Sequence, residues 1–546
     1  MKMNKRLKLM STIIFLFVVL IYGCKKHDLT KITGITFDQN LAVPIGYGEF
    51  GVHDLLKSAD SMISINAITH EMSLVYRKEL DTIFASDVIK LTDFTQKFDF
   101  DLPILASLTT IQSGQKNLPL GVSNPVPSID EKIKYVTQNG AELNTLNIES
   151  GSLSFNVSTT IKHDLTLVIK LLDLKINNSS IIKTINLKYI GNTPQTSISS
   201  INLSDVSADF KANNPDINTL RFKVDATITG TDNEIQDNEK LSLEMNLTNL
   251  KFKNITGYFG QQKLASFTDS LLLKVFEKPT DGSLSFTNPK LKFIVDNSFG
   301  IPIRLNFNKL ATVDELTHQS SNIDFTNPKD ISVPNSIGSP PVSTILDLNN
   351  ATTNNTMTNL VNVSPKYLKY DISAESNPGV LGSVKPVNFI ESTSRMIVKV
   401  DLELPFEGYA SGMTVKDTLD FSLDQNIKNI KSVLFRLKVD NGLPLSLNGQ
   451  AEFVDKNYKH LFNLFDKNTQ IISAAPVNSD GIAKSQISKS TDIVITENKT
   501  LLLDQVKYII ISGITETTQP SKTVVKLQDT NKIGLKLSVQ VQLKGK

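Results

Sequence analysis

Val295-Asp296-Asn297-Ser298-Phe299-Gly300-Ile301-Pro302-Ile303-Arg304-Leu305-Asn306 and Val439-Asp440-Asn441-Gly442-Leu443-Pro444-Leu445-Ser446-Leu447-Asn448 are two versions of one phrase. Each reads as a strand, an Asp-Asn turn, and a proline opening the next strand. Asn and Gly tolerate the left-handed conformations of a hairpin loop, and proline is accepted at the first residue of a strand. A fainter third copy runs from Val157 to Leu167, with Asp164 in the proline's place. Duplication of a sandwich-like unit explains the match; so does the general likeness of hairpins in a β protein. Both explanations give strands.

Period-two alternation continues outward from these phrases. Leu153 to Val157, Leu220 to Ile228, Leu241 to Leu247, Met396 to Leu404 and Ile533 to Leu543 alternate apolar and polar residues. Asn, Gly, Pro and Asp bound such runs, which argues for half-buried strands. The expected fold is mainly β: two or three antiparallel β-sandwich-like units, or one elongated β-sheet, with a few short helices. Helical patches are read at Val52 to Ala59, at Tyr458 to Phe465 with Leu461, Leu464 and Phe465 on one face, and at Leu501 to Val506.

Composition shifts suggest borders near 140 and near 330. Leu118 to Ser128 has three prolines, and Asn327 to Pro341 reads as a linker. The expected organisation is a signal segment at 1–23, a tether at 24–36, and a β-rich region at 37–140. A sandwich-like domain at 141–330, a Pro/Asn-rich linker region at 331–390 and a C-terminal β-rich domain at 391–546 would follow.

The N-terminus carries Lys2, Lys5, Arg6 and Lys8, an apolar run from Met10 to Tyr22, and then Gly23-Cys24. This is the layout of a secretory signal. A membrane-spanning helix needs about 20 apolar residues, more than this run supplies. Ile21-Tyr22-Gly23-Cys24 resembles the lipobox of bacterial lipoproteins. The resemblance implies removal of residues 1–23 and acylation of Cys24, and hence a lipid bilayer as partner. Leu41 to Phe50, Asp54-Leu55-Leu56 and Ile255 to Gly260 are similar to phrases in uncharacterised lipoproteins of the Bacteroidetes. Asn288 to Asn297 is similar to a pattern of the late-embryogenesis and water-stress β-sandwich domains. Neither likeness implies an activity for any residue.

Cys24 is the only cysteine, so the rest of the chain has no disulfide and no thiolate metal site. Residues 1–23 hold four basic side chains and no acidic one. The remainder carries 53 Lys and Arg against 55 Asp and Glu. So nearly neutral a chain has no general attraction to nucleic acid. Tryptophan is absent.

Nothing in the motifs points to catalysis. His27, His53, His70, His163, His318 and His460 include no pair at metal-ligand spacing. Gly408-Tyr409-Ala410-Ser411-Gly412 has its serine one place late for a nucleophile elbow, and a hairpin loop is expected there. Asp232, Glu234, Asp237 and Glu239 offer the oxygen ligands of a Ca²⁺ site, but without the EF-hand spacing; a solvated hairpin loop is the plainer reading. Four Asp-Ser/Thr-apolar triplets, centred on Ser61, Thr82, Ser270 and Thr418, are similar to the O-glycosylation acceptor pattern of Bacteroidetes secreted proteins. Their use would require exposed hydroxyls on turns.

The expected function is non-enzymatic, without cofactors. The protein would be an outer-membrane lipoprotein serving as scaffold or binding component, with an outer-membrane protein as partner and no nucleic acid. Two alternatives stand beside it: a carrier of an apolar, lipid-like ligand in a β-sheet groove, and a glycan-binding lipoprotein accessory to an outer-membrane transporter.

Overall fold

The computed structural model describes residues 43–543, except 56–61, 102–116, 212–214, 237–238, 274–275, 277–281, 314–317, 319, 326, 363–364, 381–383, 422–429, 467–468, 497 and 519–521. Its strands alternate buried and exposed residues as the sequence does. Tyr367–Ser376, for example, buries every second side chain without a break. The fold is mainly β, built from antiparallel sheets.

Eight strands, in chain order, form an inner sandwich: β4 (Phe94–Asp101), β5 (Ser123–Lys134), β6 (Glu142–Thr159), β7 (Asp164–Ile176), β8 (Ser179–Leu187), β9 (Gln195–Asn202), β11 (Thr219–Thr229) and β12 (Lys240–Tyr258). One sheet is ordered β4-β12-β6-β9 and the other β5-β11-β7-β8. Counted one to eight, the orders are 1-8-3-6 and 2-7-4-5. That is the double Greek key of a jelly roll. The sheets meet through Phe98 and Phe222, whose ring centroids are 4.9 Å apart, and the short strand β10 (Ser207–Asp209) pairs with both β6 and β7.

The same order recurs in a middle sandwich. Its strands are β3 (Met72–Phe84), β13 (Lys263–Leu272), β15 (Lys290–Asn297), β16 (Ile303–Val313), β18 (Lys329–Ile331), β19 (Val342–Leu348), β20 (Tyr367–Ser376) and β22 (Arg395–Pro405). The sheets run β3-β22-β15-β19 and β13-β20-β16-β18.

It recurs again in an outer sandwich. Here the strands are β1 (Val43–Gly51), β24 (Met413–Asp420), β25 (Ile430–Asn441), β26 (Leu445–Val454), β28 (Thr469–Ile472), β29 (Ile487–Thr496), β30 (Tyr508–Thr517) and β32 (Lys532–Leu543). Its sheets run β1-β32-β25-β29 and β24-β30-β26-β28.

Inner, middle and outer refer to nesting along the chain. The inner sandwich occupies the connection between the first and second strands of the middle one. The middle sandwich occupies the same connection of the outer one. Eight strands complete the list: β2 (Ile63–Ile65), β10, β14 (Ser283–Phe286), β17 (Ser320–Asn322), β21 (Asn388–Glu391), β23 (Glu407–Ser411), β27 (His460–Asn463) and β31 (Val525–Lys526).

By contacts the chain divides into two discontinuous units. One comprises 1–75, 273–289 and 403–546; the other comprises 76–272 and 290–402. These are not the contiguous segments 37–140, 141–330 and 391–546 expected from composition. An insertion between two strands leaves no compositional mark on either of them. Residues 331–390, read as a linker region, hold β19, β20, β21 and the helix α3 (Met357–Asn362). Their prolines and asparagines punctuate turns between these elements.

The repeated phrase lies at the corner between the third and fourth strands of each sandwich. Asn297 is fully buried. Its Oδ1 accepts the Phe299 N–H at 2.9 Å, and its Nδ2 donates to the carbonyls of Ser332 at 3.0 Å and Phe299 at 3.3 Å. Asn441, also fully buried, accepts the Leu443 N–H at 2.9 Å and donates to Ser473 at 2.7 Å and Leu445 at 2.8 Å. Ser332 and Ser473 each follow the fifth strand directly. In the inner sandwich Thr159 takes this place and accepts the Ile161 N–H at 3.2 Å. Threonine has no amide to donate. Gln195, opposite Thr159 in register, supplies one to the carbonyls of Ile161 at 2.5 Å and His163 at 2.9 Å. The preceding aspartates match as well: Ser343 donates to Asp296, and Ser488 donates to Asp440.

The helices differ from the sequence reading. The Val52 to Ala59 patch contains α1 (Val52–Leu55). Leu501 to Val506 gives only one 3₁₀ turn at Thr500–Leu502. Tyr458 to Phe465 is not helical: it is a tight turn followed by β27, which pairs with β26. Its apolar spacing suits a helix, but Phe462 is drawn into the sheet's core, stacked on Phe453 at 4.6 Å. An unforeseen helix, α2 (Ala85–Val88), follows β3 as α1 follows β1. Both begin alike, with a third-position carboxylate reaching back to the backbone N–H before the helix: Asp54 accepts the Gly51 N–H at 2.8 Å, and Asp87 accepts the Phe84 N–H at 2.9 Å.

Candidate functional site

Cys24 and Ser61 lie outside the described residues. The other three triplets sit within strands rather than on turns: Thr82 in β3, Ser270 in β13 and Thr418 in β24. Ser270 and Thr418 occupy second strands of the middle and outer sandwiches. Thr418 is exposed, while Thr82 and Ser270 are half-buried. Asp81 and Asp417 accept the N–H of the following residue at 2.7 and 2.8 Å. Thr82 also donates to Glu79 at 2.8 Å.

The acidic hairpin does not gather its carboxylates. Asp232 and Glu234 are exposed, Glu239 is buried, and Asp237 lies outside the described residues. Glu239 accepts the Thr160 hydroxyl at 2.6 Å. Asp232 adopts a left-handed φ of 65° and is held through its backbone, by Leu118 and Asn117. Among the described residues no three His, Cys, Asp or Glu side chains are grouped to hold a metal ion.

Besides Glu239, a second titratable group of that region is buried. His163 accepts the Thr231 N–H on Nδ1 at 3.1 Å. The proton of the neutral ring therefore sits on Nε2, which is buried without a partner. Burial holds the His163 pKa below the usual histidine range, against a smaller opposing pull from Asp164. His27 lies outside the described residues, and the other described histidines join no metal-binding group. His70 meets Asp529 at 3.1 Å, and His460 meets Asn463 at 3.2 Å.

Several of the other perturbed carboxylates are held in ion pairs between strands. Lys399 and Ser343 lower the pKa of Asp296, and Lys170 and Ser128 lower that of Asp225. Arg304 does so for Asp330, and Arg436 for Asp492. Arg221 grips buried Asp173 with two guanidinium nitrogens, at 2.7 and 3.2 Å, and with its backbone N–H at 2.7 Å. These pairs join neighbouring strands.

Gly408 to Ser411, expected in a loop, lies in β23, and Gly412 makes the turn into β24. A recess beside it is lined by Phe286, Phe406, Tyr409, Thr517, Val525 and Leu527. Its volume is about 20 Å³, room for about one water and too little for an acyl chain. No helix among the described residues is long and apolar enough to cross a membrane.

No family model matches the chain, and no curated protein matches it. Among solved structures, a distant neighbour is a "putative secreted protein" from Parabacteroides distasonis. It shares 10% identity over 66% of this chain and 98% of its own, with a TM-score of 0.18. A second is the cowpea mosaic virus top component, at 9% identity over 55% of this chain and 95% of its own, with a TM-score of 0.13. At these scores neither likeness bears on fold or function.

Proposed function

We propose that the protein is a non-enzymatic lipoprotein of the bacterial outer membrane, acting as a scaffold or binding component. Residues 1–23 are removed, and acylated Cys24 inserts into the bilayer. Two or three acyl chains give a stable hold where one gives a marginal one. The observation that carries the reading is the fate of the first described strand. β1 begins 19 residues after Cys24 and is zipped to β32 from Val43↔Val539 to Gly51↔Lys532. A tether at Cys24 therefore pulls on the edge strand of a closed sandwich, and the other two sandwiches ride in that sandwich's own connection. One anchor thus carries three β modules.

The test is Cys24→Ala expressed in the native host. The variant should appear in the soluble fraction and lose incorporation of labelled palmitate. Unchanged membrane association would overturn the anchor. Cross-linking in native membranes should recover an outer-membrane protein partner; a protein that stays alone under mild extraction would overturn the scaffold role.

A further inference from the structure

Thirteen non-glycine residues among those described have a positive φ. Twelve are Asn, Asp or His, whose short polar or flat side chains are the ones most often found there. The thirteenth is Tyr458, at φ 61°. A bulky residue held in this region is an outlier that asks for a reason.

The turn around it is firmly built. Asp455 accepts the N–H groups of Asn457 and Lys459, each at 2.8 Å. The Asp455 N–H donates to Lys459 O, and the Tyr458 N–H to Asp455 O, both at 3.0 Å. An asparagine at 458 would satisfy this geometry at lower cost. What tyrosine adds is a ring. That ring lies parallel to Tyr508, with centroids 4.8 Å apart and planes 7° from parallel, yet Tyr458 remains 59% exposed.

The pair stands on the outer face of the sheet. Asp420, Tyr508, Val454 and His460 lie side by side across β24, β30, β26 and β27. Val454 follows core residue Phe453, so it points outward, but it is fully buried on this face. Tyr458 therefore presents one flat, rigid π-face to solvent, on a firm base. Asp420, Lys456, Asn457 and Lys459 are exposed around it, and Lys507 has its Nζ 5.9 Å from the Tyr508 centroid.

We propose that Tyr458, backed by Tyr508, is a stacking platform for a pyranose sugar, neutral or acidic. An aromatic face is electron-rich and attracts the weakly positive C–H face of a sugar ring. The ring hydroxyls need donors and acceptors at the rim, which the lysines, Asn457 and Asp420 supply. The same lysines disfavour a cationic ligand, the other natural occupant of a tyrosine face. This names a ligand class for the binding role proposed above and does not depend on the anchor, so the test uses soluble protein.

The full chain bearing Cys24→Ala is titrated with maltose, cellobiose, N-acetylglucosamine dimer and galacturonic acid at millimolar concentrations. Binding is followed by saturation-transfer NMR and by tyrosine fluorescence, which no tryptophan obscures. At least one sugar should bind, and Tyr458→Asn should weaken it tenfold or more with an unchanged or raised melting temperature. Tyr508→Leu should weaken it as well. No binding by any of the four sugars would overturn the platform, as would equal binding by Tyr458→Asn. A marked fall in the melting temperature of Tyr458→Asn would show a ring kept only to roof Val454, and would overturn it too.

Discussion

Asn441 donates from Nδ2 to the carbonyl of Ser473 at 2.7 Å, tying the end of the third strand to the residue after the fifth. Asn297 makes the same bond to Ser332 in the middle sandwich. Each asparagine satisfies a buried N–H and a buried carbonyl, besides the carbonyl of an exposed serine. Truncating it orphans a buried N–H and two carbonyls, and a buried unsatisfied group costs about 1–3 kcal/mol. Asn297→Ala and Asn441→Ala should each lose about 3 kcal/mol in urea denaturation. Thr159→Ala should lose about 1 kcal/mol, because Gln195 still serves the carbonyls. Equal, small losses at all three sites would contradict the shared role.

His163 predicts an acid-side loss of stability. Its folded pKa is depressed by burial, whereas the unfolded ring titrates near about 6.5. Below that pH the unfolded chain takes up a proton that the folded one refuses, so stability is whole above about 6.5 and falls as the pH drops. The midpoint of urea unfolding should decline from pH 7 to pH 5, and His163→Gln should flatten that decline. The depressed carboxylates act in a separate, lower window. Asp296, Asp225, Asp330 and Asp492 stabilise above their unfolded pKa near about 3.9 and lose that contribution as the pH falls through their folded values.

Gly257 and Gly408 each precede a tyrosine and have φ of 154° and 155°. A Cβ at Gly408 would lie 1.8 Å from the Ser285 carbonyl oxygen, and one at Gly257 2.1 Å from that of Glu142. Gly257→Ala and Gly408→Ala should each cost about 3 kcal/mol or more. Gly191 has a φ of 94° with nothing within 4 Å of a Cβ. Gly191→Ala should cost only the backbone strain, about 1 kcal/mol. Thermal melts of the three variants read this contrast.

The inner sandwich should stand alone. Residues 90–260 contain all eight of its strands and enough chain for one domain core. Expressed separately, the fragment should give dispersed amide resonances and a cooperative melt. It lacks β21, which pairs with the end of β12 at Asn254 to Gly257, so fraying is expected only there. A fragment with collapsed dispersion and no cooperative melt would show that nesting is needed for folding.

Much of the fold was legible because strand periodicity is local. All five alternating runs are strands, and the Asp-Asn phrase marks the same corner in two sandwiches, with Val157 to Leu167 as its third form. The nesting was not legible. Strand β1 pairs with β32, and no spacing rule links Val43 to Val539. Tyr458 was hidden because its neighbours Leu461, Leu464 and Phe465 repeat at helical intervals. The positive φ that singles it out belongs to the backbone, and tyrosine gives no sign of it. The acidic hairpin offered the opposite lesson: residues close in sequence point to different places, with Glu239 turned in and Asp232 and Glu234 out.

The nesting also sets a timetable. During synthesis the inner sandwich has all its strands by Tyr258, the middle one by Pro405, and the outer one only at Leu543. β1 is made first of the outer strands and completed last, like an opening bracket awaiting its closing one. Until β32 arrives, its hydrogen-bonding groups are unmatched, the condition in which strands recruit wrong partners. The architecture therefore leaves the N-terminal strand without its ladder partner through nearly all of synthesis, and only the last strand closes the bracket.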